Sequence, residues 1–311
     1  METESKLAMA AAYLPAVLQM AVNRIQAADA VRIQELRLRI GRNLHAVISG
    51  AEYTVMPDGQ LVSEPAEGMK ITRQMLDTLF QNACMHSVHS CQTAIRSGYL
   101  TINGGNRIGL CGSAVIHGRS LETVCAITSM NVRIASARIG CAEQLLYNLG
   151  LQGQPEGVLI AGAPASGKTT ILRDIARILG KTARVALMDE RGELAAGRNG
   201  IPQFEIGLQT DVFEGYPKAE GIEIAARVMS PEWILCDELG NADEADALLQ
   251  AGLTGAHMIA TIHAGSLEEI TEKPVTARLV QAGVFRQAVL LGSGSKCGQV
   301  LQTKPLRRIS R

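Results

Sequence analysis

One stretch restricts the fold of this chain more than any other. Gly157-Val-Leu-Ile-Ala-Gly162, an apolar run short enough for a buried strand, passes into Ala163-Pro164-Ala165-Ser166-Gly167-Lys168-Thr169-Thr170 and then into a helical apolar period. Strand, glycine-bounded loop and helix in this order form a phosphate-binding loop, G-x-x-x-x-G-K-T, in its proper context. Gly162 and Gly167 permit backbone angles that other residues resist, so successive N–H groups can turn inward around a β-phosphate. The helix starting near Lys168 adds its positive end. Lys168 is expected to reach the β- and γ-phosphates and Thr169 to ligate Mg²⁺. A glycine-rich turn ahead of an ordinary helix is the alternative, and strand, spacing and the Leu172/Ile175/Ile178 period all speak against it. The nine residues Gly162, Ala163, Pro164, Ala165, Ser166, Gly167, Lys168, Thr169 and Thr170 are therefore expected to bind ATP.

With 311 residues, 47% of them hydrophobic, the chain has material for one large core or two modest ones, and two domains is the better expectation. The formal net charge is zero, which gives no electrostatic reason to expect a nucleic-acid coat or a lipid surface; nucleic acid is a second-choice partner. The longest apolar run, Leu7 to Val22, carries Pro15 and Gln19 and falls short of the ~20 residues that a bilayer span needs. Glu2 and Glu4 stand where a signal peptide has basic residues, so the chain is expected in the cytoplasm. Seven cysteines without a C-x-x-C pair fit a reducing compartment and buried thiols. Cys84-Met-His86-Ser-Val-His89-Ser-Cys91 has the residue types of a zinc site. If the helical pattern from Arg73 runs on through it, however, Cys84 and Cys91 share one face and both histidines point away, so four ligands do not converge.

The organisation changes between residues 135 and 155. Residues 1–138 read as a small α+β domain. Leu36, Leu38 and Ile40 alternate with Arg37 and Arg39, and Gly98–Ile102 with Arg107–Val115 reads as a hairpin around Asn103-Gly104-Gly105-Asn106. Single arginines on such strands, Arg107 among them, are commonly solvated. Residues 139–311 alternate helical patterns with apolar strands at 158–161, 184–188, 233–236 and 257–262, which implies a mostly parallel sheet covered on both faces.

Ligands on such a sheet sit at the carboxyl ends of the strands, and there the chain places Asp189, Glu190, Arg191 and Glu193, then Asp237 and Glu238, then His263. Trp233-Ile-Leu-Cys-Asp237-Glu238 is a Walker B pattern: Asp237 is expected to hold Mg²⁺, and Glu238 to orient and deprotonate the attacking water. Glu190, ahead of Glu193, is the candidate in the acidic loop for holding water or metal. His263 is a candidate sensor of the γ-phosphate, with a capping or core role as the alternative.

At this point a resemblance becomes specific. The Walker loop, Asp189-Glu190-Arg191-Gly-Glu193, Thr210-Asp211-Val-Phe-Glu-Gly-Tyr-Pro-Lys218-Ala-Glu-Gly221, Arg227-Val-Met-Ser-Pro231, the Asp-Glu pair and Ala260-Thr-Ile-His263-Ala together resemble the stage III sporulation protein AA family. Glu35-Leu-Arg-Leu-Arg39-Ile-Gly-Arg42, Gly98-Tyr-Leu-Thr-Ile-Asn-Gly-Gly, Arg107-Ile-Gly-Leu-Cys-Gly and Asn131-Val-Arg133-Ile-Ala carry the resemblance through the front half. It implies a RecA-like P-loop ATPase core similar to that of secretion and pilus motors, homo-oligomeric rings such as hexamers, and an N-terminal domain that helps close the nucleotide site. It further implies a role in energising a channel complex between mother cell and forespore, from the cytoplasmic side at the mother-cell membrane, with membrane-protein partners.

Lys168, Mg²⁺ on Thr169 and Asp237, and a water on Glu238 supply most of what phosphoryl transfer needs. The remaining positive group is expected from another domain or subunit, with Arg133, Arg138 and Arg107 as candidates, so hydrolysis is expected to depend on assembly. A nucleic-acid-stimulated motor and a non-hydrolysing nucleotide-gated scaffold are the alternative readings; Glu238 counts against the scaffold and the zero net charge against the nucleic-acid motor.

Overall fold

Alternating apolar and charged residues give a strand one dry face and one wet one, and β1 (Ile33–Arg39) is built this way: Leu36 and Leu38 are fully buried while Arg37 and Arg39 stay partly exposed. The computed structural model describes residues 5–63, 67–118, 120–136, 138–150 and 156–306. The chain forms two compact units, residues 1–136 with 198–203, and residues 137–197 with 204–311.

The first unit is a seven-stranded antiparallel sheet in the order β4-β3-β2-β1-β7-β6-β5. Its other strands are β2 (His45–Ile48), β3 (Ala51–Val55), β4 (Leu61–Val62), β5 (Tyr99–Thr101), β6 (Arg107–His117) and β7 (Ser120–Arg133). The expected hairpin is present, with Leu100 opposite Ile108, and Asn106 staples its turn by donating to the carbonyls of Lys6 and Asn103 at 2.9 and 2.8 Å. The apolar run 7–22 is not one helix: Lys6–Ala11 and Ala16–Asn23 are separated at Pro15, which caps the second. These helices and Arg73–Ala83 bury Leu18, Leu76 and Leu79 in one core with Leu36 and Leu38.

The helix from Arg73 does not run on to Cys91. It ends at Ala83, Met85 and His86 turn through positive φ angles of 50° and 58°, and a short helix restarts at Gln92. Cys84 is nonetheless buried beside Cys91; burial first, and then its neighbour Cys91, push its thiol up to about 12.

In the second unit β8 (Val158–Gly162), β9 (Val185–Asp189), β11 (Trp233–Cys236) and β12 (His257–His263) are mostly apolar and buried, as strands covered on both faces must be. With β10 (Thr210–Glu214), β13 (Gln287–Leu291) and β14 (Val300–Pro305) they form a sheet in the order β10-β9-β11-β12-β8-β13-β14, parallel except for β14. The helix Lys168–Leu179 buries Ile171, Leu172, Ile175 and Leu179, while Ile178 is only half-buried. Asp174, on the same helix, binds Arg177 Nε at 2.6 Å and accepts the backbone N–H groups of Gly140 and Ala142 at 3.1 and 2.8 Å. Among the described residues no helix is long and apolar enough to cross a membrane.

Candidate functional site

Strand pairing decides which side chains meet. Gly162 at the end of β8 is level with His263 at the end of β12, and Cys236, just before the Asp-Glu pair, is level with Ala260. The loop from Gly162 to Gly167 therefore opens beside the end of β12, and β11, the next strand beyond it, leads into the Asp-Glu pair. Gly162 is needed for space, since a Cβ there would lie 2.3 Å from Ser166 Oγ, and Gly167 is needed for its φ of 92°, from which the Lys168 helix starts. The loop between β13 and β14 braces it from outside: Gly298 N donates to the Ser166 carbonyl at 2.9 Å and the Cys297 thiol to that of Ala165 at 3.2 Å. Ser166 Oγ itself is buried without a hydrogen-bond partner.

Lys168 is buried and folds back on the loop, donating to the carbonyls of Gly162 and Ala163, both at 2.9 Å. Burial pulls its amine below the ordinary lysine range, although Asp237 and Glu238 oppose the shift. Its Nζ is also 3.2 Å from His263 Nδ1, and His263 Nε2 is 3.0 Å from Glu238 Oε1. An ammonium only donates, so Nδ1 accepts and Nε2 carries the proton that goes to Glu238. Lys168 and Glu238 are thus joined through the imidazole of His263.

Thr169 Oγ1 donates to Asp237 Oδ2 at 2.7 Å, so a hydroxyl and a carboxylate oxygen stand together, the hard donor set that Mg²⁺ selects. The other Asp237 oxygen is held by the Thr261 hydroxyl. Thr261, fully buried, also accepts Glu238 N–H at 2.8 Å. Glu238 has a φ of 49°, uncommon for a side chain with a Cβ. Lys218, buried at the start of the helix Lys218–Ile224, holds the Glu238 carbonyl at 2.8 Å and lies 3.3 Å from the buried Glu244 and 3.7 Å from Glu190. Arg191 Nη1 lies 2.7 Å from Glu238 Oε2. Burial of Glu238 pushes its carboxyl up, but the His263 hydrogen bond and the charges of Arg191 and Lys168 outweigh it and hold the group below the usual carboxylate range.

Lys168, Thr169, Asp237, Glu238 and His263 are therefore brought together, with Glu190 at the edge through Lys218. The acidic loop divides its labour differently from the sequence reading: Asp189 is occupied in accepting the N–H groups of Glu193, Leu194 and Ala195 at 2.7, 3.0 and 2.8 Å. Arg133 and Arg107 belong to the first unit, where Arg133 lies 3.6 Å from Glu35 and Arg107 sits over the Tyr99 ring at 4.7 Å. Sequence reasoning passed over Thr261, Lys218 and Glu244. Thr261 was legible, because residues two apart on a strand share a face and it precedes His263 by two. Lys218 carried a signal as well: a lysine in the first turn of a helix opposes the helix dipole and wants another reason to be there.

A parallel sheet with a phosphate loop, a Thr-Asp pair, a glutamate and a histidine along its carboxyl edge defines the RecA-like P-loop class, and the fold matches solved members of it. The ATPase DotB of Legionella pneumophila superposes with a TM-score of 0.53 at 20% identity, over 85% of this chain and 73% of that one. The pilus retraction motor PilT with bound ADP gives 0.54 at 13% identity, over 83% and 74%. The chain itself belongs to the family described as sporulation stage III, protein AA, whose profile matches residues 9–307. Stage III sporulation protein AA of Bacillus subtilis (strain 168) is 32% identical over 295 residues, 93% of this chain and 92% of that protein.

Proposed function

We propose that this protein is an ATP-hydrolysing motor that works as a homo-oligomeric ring, of which a hexamer is one form, and energises a sporulation channel complex at the mother-cell membrane. The observation that carries the reading is the set Lys168, Thr169, Asp237, Glu238 and His263 gathered at one sheet edge of one unit. Residues 139–311 are the ATPase domain in this reading, and residues 1–138 an N-terminal domain serving assembly. The kinship with stage III sporulation protein AA and the fold shared with a pilus retraction motor support the biological setting; membrane proteins are the expected partners, and the zero net charge weighs against nucleic acid.

The phosphate loop and the positive end of the Lys168–Leu179 helix hold the β- and γ-phosphates, with Lys168 turning from the Gly162 and Ala163 carbonyls onto them. Thr169 and Asp237 would hold Mg²⁺, which supplies charge neutralisation on the phosphate oxygens when bound. Glu238 accepts the proton of the attacking water, and its lowered proton affinity keeps it ionised for that role at neutral pH. His263 gives up its hydrogen bond from Lys168 when the lysine moves, which makes it the residue that registers an occupied loop. Glu190 helps to position groups through Lys218.

The test is steady-state ATP hydrolysis across a range of protein concentrations. Specific activity should rise with concentration, Lys168→Ala should lose nucleotide binding, and Glu238→Gln should bind ATP and stall. Equal turnover in Glu238→Gln and the parent protein would remove the catalytic assignment.

A further inference from the structure

Charge that grows on the γ-phosphoryl oxygens needs a cation besides Lys168. The sequence pointed to Arg133, Arg138 or Arg107 for it; the structure places a further arginine, Arg191, directly against the Asp-Glu pair. Arg191 Nη1 is 2.7 Å from Glu238 Oε2, and through Glu238 Oε1 and His263 it is connected to the amine of Lys168. The guanidinium stands one carboxylate away from the groups that face the γ-phosphate.

Backbone close to this ion pair is held on both sides. On the Arg191 side, Asp189 accepts three successive N–H groups, and Arg173 of the Lys168–Leu179 helix donates to the carbonyls of Glu193 and Leu194 at 2.6 and 2.9 Å. On the Glu238 side, Thr261 holds the N–H and Lys218 the carbonyl. An exposed pair between free arms contributes little, but here the torsions of the two side chains are what remains to be ordered. The Arg191 side chain is 69% exposed, so it can swing without leaving a hole.

We propose that Arg191 is the catalytic cation on the γ-phosphate, acting within the same chain as Lys168; this rests on the hydrolytic reading of the site given above. In the resting protein Glu238 keeps the guanidinium at the sheet edge. A bound triphosphate offers more negative charge than one carboxylate and draws it over. As the water oxygen bonds to phosphorus, the bond from phosphorus to the β-phosphate oxygen breaks and the water proton passes to Glu238. The planar fork of Arg191 meets two of the phosphoryl oxygens as their charge grows. The same movement frees Glu238 from its ion pair at the moment it must accept the proton.

The experiment combines turnover, nucleotide binding and subunit mixing. Arg191→Ala should lower kcat by about a hundredfold or more while KM and ADP binding stay within about twofold, because the contact is made in the transition state. Binding of ADP with aluminium fluoride should weaken in parallel, and Arg191→Lys should not restore kcat, lacking the fork. Mixing Arg191→Ala with Lys168→Ala should leave activity low, since neither chain holds a complete site. Recovery on mixing would move the cation to another subunit, and a kcat for Arg191→Ala within about twofold of the parent would show that no such role exists; either result overturns the proposal alone. Absence of turnover in the parent protein at every concentration would overturn the hydrolytic reading, and the proposal with it.

Discussion

Replacing Thr261 with valine tests whether one buried hydroxyl sets the geometry of the Asp-Glu pair. Valine matches threonine in shape, so packing is kept and the O–H is lost. That hydroxyl donates to Asp237 and accepts Glu238 N–H at 2.8 Å, and at 0% exposure water cannot take its place. Glu238 N–H retains a longer contact to Asp237 Oδ1 at 3.1 Å, so the loss is that of a partly satisfied buried donor, about 1–3 kcal/mol. Thr261→Ser keeps the hydroxyl and loses a methyl group, a cost of about 1 kcal/mol. The two variants should therefore be similar in stability and far apart in turnover: urea midpoints for both fall modestly, while ATP hydrolysis survives in Thr261→Ser and collapses in Thr261→Val. Equal hydrolysis in the two variants, or a Thr261→Val protein as stable as the parent, would refute the role given to the hydroxyl.

Two further outcomes follow from the packing at Gly162 and Asp174. Gly162→Ala should lose ATP binding, read by fluorescent-nucleotide titration, because the new Cβ would meet Ser166 Oγ at 2.3 Å in the floor of the loop; binding at parental affinity would show that the loop relaxes freely. Asp174→Asn should lower stability by about 3 kcal/mol at neutral pH, since it breaks a buried pair and leaves Arg177 only the longer contact to the exposed Glu143 at 3.4 Å. Burial pushes the Asp174 carboxyl up, but the hydrogen bond from Arg177 and the N–H groups of Ala142 and Gly140 outweigh it, so its folded pKa lies below the unfolded one. The stabilisation is then complete above the unfolded value of about 4 and disappears as pH falls through the folded one. The gap in urea midpoint between parent and variant should be wide at pH 7 and close in acid, and a gap independent of pH would contradict the assignment.

The parts of this fold legible in the sequence are those whose signal is local. The strands read at 158–161, 184–188, 233–236 and 257–262 lie within a residue of their observed ends, because strands covered on both faces are apolar throughout and end where polar residues begin. The phosphate loop was readable for the same reason, its chemistry lying in consecutive residues. β10 was not, for Thr210–Glu214 is a sheet-edge strand with charged residues at its second and last positions, nor was β14, whose residues are all exposed. The break after Ala83 has no Gly or Pro to announce it, only a run of mostly weak helix formers from Cys84 to His89. At the site, Thr261 and Lys218 each carry a local signal, but their meeting with Arg191 around Glu238 joins elements far apart in the chain, which periodicity does not encode.

Glu238 shows why such neighbours matter more than the motif that announces them. A backbone φ of 49° on a residue with a Cβ costs on the order of 1–3 kcal/mol and persists where the surroundings over-determine it. Here Thr261 fixes the N–H, Lys218 fixes the carbonyl, and Arg191 and His263 each take one carboxylate oxygen. Thr261 and His263 lie on β12, Arg191 just after β9 and Lys218 in the first turn of a helix, so the sheet's register sets the glutamate's direction. An Asp-Glu pair after any apolar strand would satisfy the sequence pattern. What distinguishes this one is that His263, paired in register with Gly162, ties the glutamate to the lysine of the phosphate loop. Under the proposed function, occupation of the loop and release of Glu238 become one event, and the strained backbone keeps the carboxylate aimed at the place where that release is useful.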